Sequence, residues 1–130
     1  MGNPDTSTTE HIGAVAERTG LSLRTLRHWD EVGLVTPSGR TDGGFRLYTE
    51  SDVERILLVR RMKPLGFSLD EMADLLDVTD RLAAGQAVGA DGVVLRDRLD
   101  QFVVTARERR ADLARKLDMA DELITLLAAL

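Results

Sequence analysis

Basic and hydroxyl side chains recur at helical spacing near the start of the chain. Arg24, Arg27 and His28 follow i, i+3, i+4 spacing, so on a helix they share one face, with Thr25 beside them. Arginine and threonine on the exposed first turn of a helix suit base edges in the major groove of DNA. Ser22, directly before this segment, is a typical helix N-cap. The pattern predicts a helix that reads DNA.

A second basic group follows about fifteen residues later in the chain. Arg40 and Arg46 flank an Asp-Gly turn at 42–43, which is a strong signal for a β-hairpin. Arginines on such a hairpin suit phosphates or an adjacent minor groove, and Tyr48 has a hydroxyl that suits a phosphate. A solvated, non-binding Arg46 is the alternative at this position.

These side chains require two short helices and a hairpin to position them. Apolar residues with helical periodicity predict one helix over 12–18 and another over 23–32. Gly20 lies in the short break between them, so the two helices form a helix-turn-helix pattern. Residues 34–48 predict a small β-ribbon, or wing, and further helices follow at about 53–63 and 69–76.

The end of the chain has the pattern of one long helix. Residues 93–130 contain no proline or glycine, and nine of eleven heptad core positions are apolar. A helix of this length extends beyond a small domain, so its apolar stripe needs a partner helix; folding back on the same chain is the alternative. The predicted dimerisation residues are Leu95, Leu99, Phe102, Ala106, Leu113, Leu117, Ala120, Leu123 and Leu127.

The fold class predicted is therefore mainly α. It comprises a disordered tail at 1–10, a winged helix-turn-helix DNA-binding domain at 11–77, a linker at 78–92 rich in glycine and alanine, and a coiled-coil dimerisation helix at 93–130.

Charge and composition limit the classes of function that the chain can have. The net charge of −5 lies entirely in residues 69–130, whereas residues 18–48 carry five arginines against three acidic residues. A local basic face can bind phosphate whatever the net charge of the chain is. With no cysteine and only two histidines, the chain offers no disulfide, thiolate ligand or zinc site, and we expect no metal or cofactor. No apolar run is long enough for a membrane span and no signal peptide is evident, so a cytoplasmic protein is expected.

Two residues of the predicted DNA-binding helix each have an alternative role that does not involve DNA. Arg27 could form a surface ion pair with Asp30 or Glu31, and Trp29 could be purely a core residue. No carboxylate pair accompanies a nucleophile or a set of metal ligands, so an enzyme is not expected.

Four stretches of the front half form one ordered pattern. They are Ile12-Gly13-x-Val15-Ala16-x-x-Thr19-Gly20, Thr25-Leu26-Arg27-His28-Trp29-Asp30-Glu31-Val32-Gly33-Leu34, Phe45-Arg46-Leu47-Tyr48 and Leu65-Gly66-Phe67-Ser68-Leu69-Asp70-Glu71-Met72. In this order and at this spacing, they closely resemble the MerR family of bacterial transcription regulators.

The resemblance implies a winged helix-turn-helix whose homodimer, through an antiparallel C-terminal helix, binds an inverted repeat in promoter DNA and distorts it. His28-Trp29 stands where the family usually has two aromatic residues, and Phe45 where it usually has tyrosine. The complete set of predicted DNA-binding residues is Ser22, Arg24, Thr25, Arg27, His28, Trp29, Arg40, Phe45, Arg46 and Tyr48.

The sequence thus predicts a DNA-binding transcriptional regulator, with RNA polymerase at the promoter as a further candidate partner. Two alternatives stay open: an architectural, excisionase-like DNA-bending protein, and a protein-interaction module that no longer binds DNA. Metal-sensing relatives use cysteine thiolates, which this chain lacks, so we expect no thiol-redox or soft-metal response. The effector, if the protein has one, is unknown.

Overall fold

The structure is a computed structural model that describes residues 8–130. These form two compact units that meet in the sequence at Ala73 and Asp74. Within the described range, no helix is both long enough and apolar enough to cross a membrane.

The first unit contains the expected helix-turn-helix. Helix α1 spans Ile12–Thr19 and helix α2 spans Leu23–Glu31. Gly20 ends α1 with φ of 70°, a left-handed conformation that glycine adopts without steric cost. Ser22 is the N-cap of α2: its side chain accepts a hydrogen bond of 3.0 Å from the Thr25 backbone N–H.

The wing is two strands of a three-stranded antiparallel sheet, in the order β1-β3-β2. Strand β1 spans Thr9–His11, β2 Gly39–Arg40 and β3 Arg46–Thr49. The hairpin turn lies where the Asp-Gly pair predicts it, closed by a 2.8 Å bond from the Thr41 N–H to the Phe45 carbonyl.

Strand β1 corrects the predicted tail at 1–10. Thr9 and Glu10 are paired with Thr49 and Tyr48 of β3, so the end of that segment is ordered. A strand of three residues is too short to show an alternation of apolar residues in the sequence. Its hydrogen-bond partners lie on β3, which is distant along the chain. The remainder of that prediction, residues 1–7, lies outside the described residues.

Helix α3 spans Glu50–Met62, and a short 3-10 turn follows at Lys63–Leu65. A capping box begins α3: Thr49 accepts from the Asp52 N–H, and the Asp52 carboxylate accepts from the Thr49 N–H. The core of this unit is closely packed, and its buried apolar side chains include Val15, Leu26, Trp29, Val35, Tyr48, Val53, Ile56 and Val59.

Helices also occupy much of the predicted linker at 78–92. Helix α4 spans Leu69–Ala83 and α5 spans Gly89–Ala128, so only 84–88 lies outside a helix. The sequence suggested a linker because of its glycines. Helical order is nevertheless supported by the fully buried Val78 and by the 3.3 Å ion pair from Asp77 to Arg81, one turn apart.

In the second unit, α5 is 40 residues long, which corresponds to about 60 Å. Within this single chain, Leu95 is buried and every residue from Asp112 to Leu130 is exposed. The predicted dimerisation residues therefore fall into two groups. Leu99, Phe102 and Ala106 are half-buried, whereas the later members are exposed: Leu113, Leu117, Ala120, Leu123 and Leu127.

Candidate nucleic-acid interface

Helix α2 presents one polar face to solvent. Arg24, Arg27 and His28 are exposed and line an open groove together with Thr25 and Glu31. The opposite side of α2 is anchored in the core by Leu26, which is 1% exposed. Since the i, i+3, i+4 spacing predicts this shared face, the structure brings these side chains together as expected.

Two hydroxyl residues at the start of α2 serve the helix as well as its surface. The Ser22 and Thr25 side-chain oxygens lie 2.9 Å apart, and Ser22 also accepts from the Thr25 backbone N–H. This capping fixes the first helical turn, which is the turn that Arg24 occupies.

Trp29 does not belong to the exposed face. It is 4% exposed and packs in the core, so the core alternative describes its position, and the structure does not place it on the surface with the other predicted DNA-binding residues. Its position three residues after the buried Leu26 places it on the inner side of α2. Its backbone carbonyl also accepts from the Leu34 N–H at 2.8 Å, which fixes the chain leaving the helix.

The wing carries three of the predicted residues at its surface. Phe45 is 68% exposed, and Arg40 and Arg46 are opposite each other on β2 and β3. The Arg46 side chain is 23% exposed, against 47% for Arg40, and both side chains reach α2.

Both wing arginines bind Asp30, which lies on α2. One oxygen of its carboxylate, Oδ2, accepts from Arg46 Nε at 2.6 Å and from Arg40 Nη2 at 3.0 Å. Burial acts to raise the pKa of Asp30, but the hydrogen bonds from Arg46 and Arg40 outweigh it and hold that pKa below its ordinary value. Sequence spacing had indicated Asp30 only as a partner for Arg27, on its own helix.

Tyr48 is the second predicted DNA-binding residue that the structure buries. It is 1% exposed, and its hydroxyl is buried without a hydrogen-bond partner among the described residues. Burial, followed by the nearby Asp30 carboxylate, raises the pKa of Tyr48. A phosphate cannot reach this hydroxyl in the present conformation, so Tyr48 supports the wing from beneath.

The surface set that results is basic, polar and partly aromatic. It consists of Ser22, Arg24, Thr25, Arg27 and His28 on α2 and its cap, together with Arg40, Phe45 and Arg46 on the wing. Arginine forks suit guanine edges and phosphates, and this arrangement offers a nucleic acid two neighbouring points of contact. Over residues 8–130 there is no group of three histidine, cysteine or acidic side chains placed to hold a metal ion.

The chain is similar to known transcription regulators. Residues 11–79 match the family model described as MerR HTH family regulatory protein. The chain is 41% identical over 96 residues to the HTH-type transcriptional activator mta of Bacillus subtilis, covering 72% of this chain and 37% of mta. It is 36% identical over 117 residues to the regulator YfmP of the same species, covering 87% and 79%.

A solved structure shares the fold. The match is the crystal structure of HiNmlR, a MerR family regulator lacking the sensor domain, bound to promoter DNA, with a TM-score of 0.68 and 27% identity over 93% of this chain and 89% of that one. The chain spans only about a third to a half of the length of several curated relatives. With the family model covering more than half of the sequence, the chain belongs to the MerR family, whose members are DNA-binding transcription regulators and not enzymes.

Proposed function

We propose that this regulator binds, as a homodimer, an inverted repeat within a promoter and distorts the DNA between the two half-sites. The observation that carries the proposal is the exposed face of α2 beside the basic wing. Arg24 and Thr25 on the first turn of α2 contact base edges, while Arg27, His28 and Arg46 hold phosphates.

The exposed end of α5 supports the dimer. Over residues 113–130, most of the large apolar side chains are more than half exposed in the single chain, and leaving them in water is costly. They are Leu117, Met119, Leu123, Ile124, Leu126, Leu127 and Leu130. Packing against a second copy removes apolar area of this stripe from solvent, and by family resemblance the two helices run antiparallel.

The distortion follows from spacing. In the dimer that we propose, two α2 helices contact one duplex, and B-DNA presents equivalent major-groove sites about 34 Å apart. Where the spacing of the two helices differs from this, the duplex bends, at a cost of about 1–6 kcal/mol, and phosphate contacts from the wing offset that cost. In a promoter, such bending realigns the two elements that RNA polymerase recognises, which makes polymerase the expected second partner.

Selection from random duplexes followed by footprinting tests the proposal. We expect the full chain to enrich an inverted repeat, to protect two half-sites and to leave hypersensitive base pairs at the centre. A straight, uniformly protected site with no repeat would favour the architectural function instead, and no DNA binding at low salt would favour the protein-interaction module.

Helix orientation is testable because the chain has no native cysteine. Single cysteines introduced in turn at the seam positions Leu99, Leu113 and Leu127 report self-cross-linking between the two copies. An antiparallel pair cross-links only where the seam crosses its two-fold axis, whereas cross-linking at all three positions would show a parallel pair.

A further inference from the structure

Asp30 connects α2 to both strands of the wing. Its Oδ2 atom accepts from Arg46 Nε at 2.6 Å and from Arg40 Nη2 at 3.0 Å, and these two arginines are register partners on β3 and β2. One carboxylate therefore joins both strands of the ribbon to the end of α2.

The environment of this carboxylate makes the connection effective. The Asp30 side chain is 10% exposed, so solvent screens its ion pairs less than it would on an open surface. The two pairs bridge 10 and 16 residues of sequence, and they join α2 to β2 and β3.

Arg40 and Arg46 can still bind a phosphate while they are bonded to Asp30. A guanidinium group has five N–H donors in a rigid fork, and each bond to Asp30 uses one of them. Two guanidinium groups and one carboxylate leave a local charge of about +1, which still attracts a phosphate.

We infer that Asp30 is a positioning residue for DNA recognition: it sets the angle between the wing and α2, so that phosphate anchoring by the wing fixes the register in which α2 reads bases. The inference rests on the proposed function, because it concerns how that DNA surface chooses a sequence. Asp30 itself contacts no base. It acts through Arg40 and Arg46.

The test compares Asp30→Asn with Asp42→Asn. Both variants remove one negative charge, but Asp42 lies exposed in the wing turn and makes neither of the two ion pairs to Arg40 and Arg46. Binding of each variant is measured on the inverted repeat that the wild type selects and on a scrambled duplex of the same composition, at one salt concentration.

We expect Asp30→Asn to bind scrambled DNA at least as tightly as the wild type, because one repelling charge is gone. Its preference for the selected repeat over scrambled DNA should fall about tenfold, in the range of one mismatched base pair. Asp42→Asn should retain the wild-type preference. A loss of folding would instead lower binding to both duplexes, and thermal melting followed by circular dichroism identifies that case.

Amide hydrogen exchange without DNA provides a second measurement. In Asp30→Asn, the wing amides of Thr41 and Gly44 should exchange about two- to fivefold faster, as the loss of a partly exposed ion pair implies, with no change in the amides of α3. Asp42→Asn should leave the hold of α2 on the wing intact, so exchange at the β2–β3 pairs should not change.

The outcomes separate the inference from the proposed function. If the wild type selects no sequence, the proposed function fails and the role in sequence choice fails with it, while exchange still reports whether Asp30 holds the wing. The inference about Asp30 is overturned if the wild type selects a repeat and both variants keep the wild-type preference for it. It is also overturned if amide exchange in the wing does not change in Asp30→Asn.

Discussion

Removing the carboxylate of Asp52 should destabilise the first unit strongly. Its Oδ2 atom accepts from the Ser38 N–H and from the Thr49 N–H, each at 2.9 Å, and Asp52 is 4% exposed. These bonds join the start of the wing to the first turn of α3. In Asp52→Ala both N–H groups lose a charged acceptor while the backbone stays in place.

The magnitude follows from the burial of the two donors. A hydrogen bond to a charged group contributes about 1.5–3 kcal/mol, and that loss applies in full at Thr49, which is 5% exposed. Ser38 is exposed, so its N–H can bond to water and its loss is smaller. We expect Asp52→Ala to lower the free energy of unfolding by about 2–4 kcal/mol, out of a usual total of about 5–15 kcal/mol.

Urea unfolding followed by fluorescence measures this change. Trp29 is the single tryptophan and lies in the core of the same unit, so its emission reports the unit that Asp52 supports. Asp52→Asn retains an oxygen that can accept both bonds and should lose about 1–2 kcal/mol, mainly the charge at the helix N-terminus and the charge assistance of the bonds.

The capping box at the start of α4 provides the control. There the Glu71 carboxylate accepts from the exposed Ser68 N–H at 2.9 Å, and the loss of this bond in Glu71→Ala should cost only about 0.5–1 kcal/mol. An Asp52→Ala protein within about 0.5 kcal/mol of the wild type would refute the reasoning from buried donors. Equal losses in the alanine and asparagine variants would refute the reasoning from charge.

Three further predictions concern the DNA surface and the dimer. Aspartate at both Leu123 and Leu127, which are exposed in the single chain, should give a folded monomer by light scattering, and an unchanged dimer would exclude this part of α5 from the interface. Arg24→Ala should cost about 1–3 kcal/mol and relax base preference at one position, whereas Arg46→Ala should weaken all duplexes alike and lower the salt slope by about 1; equal loss of preference in both would contradict the division of roles. The pKa of Asp30 is lowered in the folded protein, so its contribution is complete above its ordinary value of 3.8 and is lost as pH falls through the lower folded value. The Asp30-dependent change in wing amide shifts should therefore appear only below about pH 4, and the total change should be smaller in Asp30→Asn.

Much of the site was predictable because its signals are local. The helical spacing of Arg24, Arg27 and His28, the cap at Ser22 and the glycine that ends α1 each depend on neighbours within four residues. The Asp-Gly turn of the wing and the heptad pattern of α5 are local in the same sense. The sequence alone therefore determined the two helices, the hairpin, the long helix and the face that α2 presents.

The tertiary structure decided which side chains remain at that surface. Trp29 and Tyr48 are of types that suit either DNA or a core, and only the packing of α2 and β3 on the other elements shows that both are buried. Strand β1 likewise depends on backbone groups of β3 that lie about forty residues away in the chain.

The role of Asp30 is the clearest case of this division. On its own helix Asp30 is a surface acid near Arg27, and sequence spacing favours that partner. Its partners are instead Arg40 and Arg46, 10 and 16 residues further along the chain. Ion pairs between distant residues form only when folding brings their elements together, so local patterns could predict the wing and α2 separately but not what holds one against the other.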